Sequence, residues 1–207
     1  HISSCFPRKG VDVLLKAYLK AFTKNDCTCL IIKTFDNPHN NIDDQISELI
    51  DYDSPQIIVI KDELSEEKMK SLIMQSSVLV APSRGEGFGL PIGEAMKMRI
   101  PVITTNWGGQ KDFCNNENSW LLDYQYTQSS SHFNLDYSYW AEPSISHLCQ
   151  LLLQIKNSSK DQLEKKIIKA KELADTFKWD SVTKKNVNFV NHYSAIFNNK
   201  FSKIGWI

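Results

Sequence analysis

The stretch APSRGEGFGLPIGEAMKMRIPVITTNWGGQKDF, Ala81 to Phe113, decides how the rest of the chain is read. It begins at the end of an apolar strand, Val78-Leu79-Val80-Ala81, and its first glycines precede a short helix expected to run through Met98. A strand–loop–helix junction of this kind commonly holds phosphate, because the first N–H groups of a helix lack internal partners and the helix dipole favours an anion. Two common forms are excluded by the spacing. A dinucleotide fingerprint would need a third glycine where Ile92 stands, and no Gly-Lys-Ser/Thr follows for a P-loop. Gly85, Gly87 and Gly89 let the backbone turn tightly and come close to a ligand. Pro91 suits the first helical position, while Gly89 and Leu90 before it offer no side-chain oxygen as a cap. The orphan amides are left either to water or to an anion such as a diphosphate.

Two carboxylates flank this turn, Glu86 in the loop and Glu94 in what reads as the first helical turn. Each can accept two hydroxyl hydrogen bonds, which suits a sugar. Taken alone the pair is ambiguous: Glu94 could serve the helix dipole, and Glu86 could be a solvated loop residue.

Outward from this segment, strand and helix alternate. His1 to Ser4 reads as a strand remnant, followed by a turn at Pro7–Gly10 and an amphipathic helix with Val11, Leu14, Leu15, Tyr18, Leu19 and Phe22 on one face. Leu30–Ile32 and Ile57–Ile60 read as strands, with a helix marked by Ile42, Ile46, Leu49 and Ile50 between them. Ser65 is the expected N-cap of a helix carrying Met69, Leu72 and Ile73 inward. Pro101–Thr104 and Trp120–Leu122 complete the strands. Apolar strands each followed by a helix predict an α/β fold: a single Rossmann-like domain with a parallel sheet of about six strands and helices on both faces. Its ligand belongs at the carboxyl ends of the strands. Residues 123–141 break the rhythm with Ser129–Ser131 and several aromatics, and read as an inserted loop with a short extended piece, its aromatics mainly packing, with substrate contact or domain docking as the alternative. After Pro143 the pattern is helical. The domain is expected to span 1–178, with 179–207 as a helical segment that packs on it or toward another domain through Phe189, Val190, Tyr193 and Phe197.

Composition narrows the function classes. In 207 residues, 42% hydrophobic and 23% charged, there is enough apolar material for one sizeable core. Twenty-four basic residues balance twenty-four acidic ones, so nucleic acid is not an expected partner. No apolar run approaches the length of a membrane span. The five cysteines are scattered, with no metal-binding spacing, and are expected to be buried thiols of a cytoplasmic protein. Asp51-Tyr52-Asp53 matches a metal-binding DxD but precedes a strand beside Ser54-Pro55, so a polar turn is expected there. His132 and His147 are expected to be structural or solvated. The sequence starts at His1 inside a strand, which predicts an excised piece of something longer.

EGFGLPxxEAM followed by PVI and a glycine pair resembles the family-4 retaining glycosyltransferases of the GT-B fold, the glycosyl transferases group 1. Glu86 and Glu94 stand at the spacing of that group's paired acids, and Arg8-Lys9-Gly10 before an amphipathic helix is similar to its other signature. The resemblance runs from about residue 5 to 180, including Phe177-Lys178-Trp179. It implies that Lys9 contacts the donor diphosphate with Arg8 as helper. It further implies that Glu86 holds hydroxyls of the transferred sugar, with the amides of Gly87, Phe88, Gly89 and Leu90 near sugar and phosphate. Glu94 would bind the ribose, and the base would lie near Lys61. Many members carry an arginine where this chain has Ser3, so the diphosphate is expected to lean on Arg8 or Arg84, or to bind less tightly. Arg99 and Ile100 replace a glycine usual before PVI, which is expected to alter a turn.

The resemblance also implies a catalytic role for Glu86 and Lys9, a nucleotide-sugar as substrate, no metal or other cofactor, and an N-terminal GT-B domain missing from these residues. Catalysis by this part alone is not expected, and any peripheral membrane association would come through the missing part. The alternatives are a non-catalytic nucleotide- or sugar-binding module derived from such an enzyme, or a nucleotide-sugar epimerase of the same fold.

Overall fold

The computed structural model describes residues 1–130, 137–177, 183, 187–192 and 194. Five parallel strands form its frame. β1 (Cys29–Lys33) pairs with β2 (Gln56–Ile60), while β3 (Leu79–Ala81), β4 (Val102–Thr105) and β5 (Trp120–Leu122) pair in that order. The sixth expected strand is reduced to the first residues of the chain, which join the two sheets. Ser3 N donates to Lys33 O at 3.1 Å and Lys33 N to His1 O at 2.9 Å, while the His1 imidazole bonds Val80 O of β3 at 2.8 Å. All these pairings are parallel, and it is strand order that reverses at residues 1–3, with β1 and β2 added on one side and β3, β4 and β5 on the other, so a ligand crevice is expected at the carboxyl ends of the strands there.

Among the described residues up to 177, six α-helices lie between and after the strands: α1 (Val11–Ala21), α2 (Ile42–Leu49), α3 (Glu66–Met74), α4 (Leu90–Lys97), α5 (Ile145–Asn157) and α6 (Lys160–Ala174). They cover both sheet faces, and each face has its own core. One gathers Leu14, Leu15 and Tyr18 of α1 with Ile42 of α2 and Leu148, Leu151 and Leu152 of α5 against Leu30, Ile32 and Ile103. The other gathers Ile73, Ala95, Met96 and Ala170 against Leu79 and Val102. Removing a leucine or isoleucine of this size from water stabilises the fold by about 1.5–3 kcal/mol each, so these faces outweigh the weak helix starts. Ser65 caps α3 by accepting from Lys68 N, as its sequence position predicts.

Several expectations are corrected. The α2 edge is thinly covered: Leu49 is exposed, and Ile50 ends the helix in an extended, exposed conformation. Residues 123–141 form more than a loop: β6 (Tyr124–Gln128) and β7 (Tyr139–Pro143) make an antiparallel ribbon. Cys27 and Cys29 are exposed, because the strand begins only at Cys29, whereas Cys5, Cys114 and Cys149 are buried. Burial pushes the Cys114 thiol up to about 12.

Arg99 takes the left-handed conformation, φ 63°, that glycine normally supplies. Arg99 N bonds Met96 O and Ile100 N bonds Ala95 O, which closes the end of α4. Residues 187–192 are helical with Phe189 and Val190 exposed, whereas Lys178, Trp179, Tyr193, Phe197 and His132 lie outside the described residues.

Candidate functional site

Three loops meet at the carboxyl ends of the strands, and glycines allow them to touch backbone to backbone. The first is the 3-10 turn Pro7–Lys9, closed by Gly10 at φ 69°. A Cβ on Gly10 would stand 2.0 Å from Pro82 O, so this position needs glycine for both its conformation and its neighbour. The second loop runs from Pro82 to Gly89, tied to the first by Arg84 N donating to Arg8 O at 2.7 Å. The third follows β4, where Gly109 N donates to Glu86 O at 2.8 Å. A Cβ on Gly109 would lie 1.6 Å from Gly87 O, so the glycine pair sets how closely the third loop presses on the second. Gln110, wholly buried, fixes that third loop by donating from Nε2 to Thr105 O at 3.0 Å and to Trp107 O at 2.6 Å.

Lys9 and Glu86 are brought together here. Lys9 Nζ meets Glu86 Oε2 at 2.5 Å, with the two side chains 16% and 15% exposed. Glu86 Oε1 also accepts from Gly87 N at 3.2 Å. Arg8 lies on the same turn and donates from Nη1 to Gly85 O at 3.3 Å. Gly89, at φ 87°, precedes α4, and no side chain caps that helix. Phe88 is exposed on one side and rests on Phe113 and Phe177 at ring distances of 5.0 and 5.8 Å, while Leu90 is exposed. The helix begins at Leu90, so Pro91 is its second residue and Glu94 falls beyond the first turn.

Arg84 does not serve as expected. Its guanidinium has five N–H donors, and all of them are engaged. Nε and Nη2 bond Glu142 at 2.6 and 2.7 Å, Nη1 and Nη2 bond Asp12 at 2.8 and 2.7 Å, and Nη1 also bonds Pro7 O at 2.5 Å. The Trp140 ring lies over it at 4.7 Å. Buried and saturated, Arg84 clamps α1, the β6–β7 ribbon and the first loop together and has no donor for a diphosphate. Burial pushes the Asp12 carboxyl up, but the Arg84 hydrogen bonds and charge, with backbone N–H groups of Asp12 and Val13, outweigh it and hold the carboxyl below its usual range.

The remaining site residues lie apart from this cluster. Lys61, just past β2, pairs with Asp43 at 2.5 Å and Asp36 at 2.9 Å, and those hydrogen bonds raise its pKa. Glu94 is exposed on α4; partial burial raises its pKa first, and the Glu66 charge adds to this. The Asp51–Asp53 segment is a turn in which Asp51 Oδ1 accepts from Asp53 N and Ser54 Oγ. His147 is structural: its Nδ1 accepts from Asp123 N at 3.1 Å, at the root of the ribbon. Among the described residues no group of three or more His, Cys, Asp or Glu is placed to hold a metal. Likewise, no described helix is long and apolar enough to cross a membrane.

Sequence reading missed Asp12, Glu142 and Gln110. The glycine pair signalled the third loop, but nothing local pairs Glu142 with an arginine 58 residues away.

The family model for glycosyl transferases group 1 matches residues 1–129. A mannosyltransferase of Mycolicibacterium hassiacum, the MMP alpha-(1->4)-mannosyltransferase, is 30% identical over 106 residues, which are 51% of this chain and 25% of that protein. The C-terminal domain of a group 1 glycosyl transferase from Francisella tularensis has a TM-score of 0.61 at 21% identity, covering 82% of this chain and 80% of that one. A glycosyltransferase from Rickettsia africae reaches a TM-score of 0.69 at 21% identity over 91% of this chain and 45% of its own. An Anabaena protein solved with UDP and glucose gives 0.68 at 16% identity, over 93% of this chain and 47% of its own. The chain thus spans about a quarter of the mannosyltransferase it matches.

Proposed function

The chain belongs to the glycosyl transferases group 1, and from that premise we propose that it is the donor-binding half of a retaining glycosyltransferase of the GT-B fold. The observation that carries this reading is the Lys9–Glu86 pair, held by three glycine-joined loops beside an uncapped helix start. Residues 1–178 form the nucleotide-sugar domain in this reading. The acceptor half, in the same reading, lies in an N-terminal domain outside these residues. The isolated chain binds donor without turning it over.

Each residue then has a role set by its chemistry. Lys9 exchanges Glu86 for a diphosphate oxygen, with Arg8 beside it, and the amides of Phe88, Gly89 and Leu90 face the phosphate. Glu86, released, accepts hydroxyls of the transferred sugar, and Glu94 accepts those of the ribose. The base lies near Lys61. As the anomeric carbon–oxygen bond breaks, negative charge grows on the departing diphosphate. Lys9 and the amide groups stabilise that charge most where it is largest, in the transition state. The acceptor oxygen joins the same face of the sugar and its proton passes to the departing phosphate, so Glu86 and Glu94 are not an acid–nucleophile pair of the glycosidase kind. No metal or cofactor is assigned a part. A cytoplasmic setting fits the five unpaired cysteines.

Calorimetric titration with UDP, GDP and ADP and their hexose conjugates, with and without magnesium, tests the reading. One nucleotide should bind without metal, and Glu94→Ala should weaken it. Binding of none, or of sugar without nucleotide, sinks it.

A further inference from the structure

Next to Glu86 the surface carries an aromatic cluster that donor binding leaves unused. Trp107 follows β4, immediately before the glycine pair, and its carbonyl is fixed by Gln110. Tyr124 and Tyr126 lie two apart on β6, so they share one face of the ribbon. The three rings form a closed triangle: Trp107–Tyr124 at 5.8 Å, Trp107–Tyr126 at 5.2 Å and Tyr124–Tyr126 at 5.3 Å. Packing of this kind fixes the rings, yet Trp107 remains 41% and Tyr126 56% exposed. Tyr139, across the ribbon from Gln128 on the same face, extends the patch and is also exposed. Fixed, contiguous and exposed aromatic surface marks a binding site more often than single exposed residues do.

We propose that Trp107, Tyr124 and Tyr126 form a stacking platform for a pyranose ring of the acceptor, so that the acceptor is a glycan or carries one.

The inference rests on the donor-half reading and adds the acceptor's chemical class and its place. Continuity with the transfer site supports it. Gly108, adjacent to Trp107, lies so close to Glu86 that a Cβ there would be 3.1 Å from Glu86 O and 3.2 Å from Glu86 N. A sugar stacked on Trp107 is therefore carried at the edge of the loop that holds Glu86. The chemistry also fits. A pyranose presents C–H groups on one face and hydroxyls around its edge, and an aromatic face is electron-rich and attracts such C–H groups. Among the described residues of the ribbon, each exposed large apolar side chain is a tyrosine, with a hydroxyl at its tip to meet the sugar's edge.

The test follows the indole N–H signal of Trp107 by NMR in the nitrogen-15-labelled chain, the signal being assigned with Trp107→Phe. The chain is titrated with maltotriose, mannotriose and chitotriose, and in parallel with UDP, GDP and ADP. At least one trisaccharide should move the Trp107 signal. Trp107→Ala and Tyr126→Ala should weaken that binding about tenfold, the effect of losing one ring contact, with nucleotide affinity held within about twofold. No trisaccharide effect at Trp107, or trisaccharide binding unchanged in both variants, overturns the platform while nucleotide binding leaves the donor reading standing. Loss of nucleotide binding in Trp107→Ala also overturns it, by assigning the rings to the donor site. Self-association, or association with the rest of a longer parent, that Trp107→Ala weakens without any trisaccharide effect overturns it in favour of a protein-docking face.

Discussion

Arg84 and Lys9 lie on adjoining loops, and each meets carboxylate, yet they are opposite kinds of cation. Arg84 is 7% exposed at its side chain and divides its five donors among Asp12, Glu142 and the Pro7 carbonyl. Its planar fork is matched on every side, and any ligand would have to displace a buried ion pair. Lys9 has three rotatable donors and meets one carboxylate oxygen of Glu86 at the rim of the site. Exchanging that partner for a phosphate costs little. Closeness to a glycine-rich loop does not assign a basic residue to the ligand; the number of donors still free does.

Substitution should separate the two cations sharply. Arg84→Ala leaves Asp12 and Glu142 without their counter-charge, and urea denaturation should show a loss of about 3–5 kcal/mol. If it costs less than a typical exposed ion pair, the clamp is not what holds α1 to the ribbon. The Asp12 carboxyl also gives this centre a pH signature. Its folded pKa is depressed, so its contribution to stability is present above the unfolded value of 3.8 and is lost as pH falls through the lower folded value. Acid unfolding curves of wild type and Arg84→Met should differ most at neutral pH and converge in acid.

Gly109→Ala tests whether the loops around Lys9 must touch. Its Cβ would enter the Gly87 carbonyl, so the loops must separate, at about 3 kcal/mol and with loss of nucleotide binding in the same titration. A variant with full affinity would show that the contact is not required. Lys9→Ala leaves Glu86, 15% exposed, without its partner, and should cost about 1–3 kcal/mol of stability. Nucleotide affinity also reads Glu94. Its carboxyl pKa is raised by partial burial and by Glu66, so affinity should begin to fall with acidification at a higher pH than the ordinary glutamate value of 4.5 allows. The smallest effect belongs to Arg99→Gly. Removing the left-handed strain should raise stability by about 0.5–1 kcal/mol in thermal melts, reduced slightly by loss of the Arg99–Glu164 pair.

The elements were largely legible in the sequence because the apolar pattern carries them. Leu14, Leu15 and Tyr18 recur at helical spacing, and Val102 and Ile103 sit in an apolar run, and these are the residues that fill the two cores. The glycine loops and the two acids were equally local signals. What stayed hidden depends on contacts between distant segments. Arg84 reads as a ligand-facing base until Glu142 arrives from β7 to neutralise it. The ribbon was obscured because Ser129 and its neighbours read as a loop, while pairing of Tyr124 through Gln128 with Tyr139 through Pro143 depends on the return strand. Cys29 looked buried because the strand it opens is, although the first residue of that strand stands in solvent.

The most direct test of the account is a metal-free calorimetric titration of the Lys9→Met variant with the nucleoside diphosphate that wild type binds, alongside a urea denaturation of the same sample. The account predicts a protein that still unfolds cooperatively, with affinity reduced about 10- to 100-fold, the loss of one charged hydrogen bond to phosphate. Undiminished affinity in a fully folded Lys9→Met protein would contradict it, because the diphosphate would then be held without the lysine assigned to it.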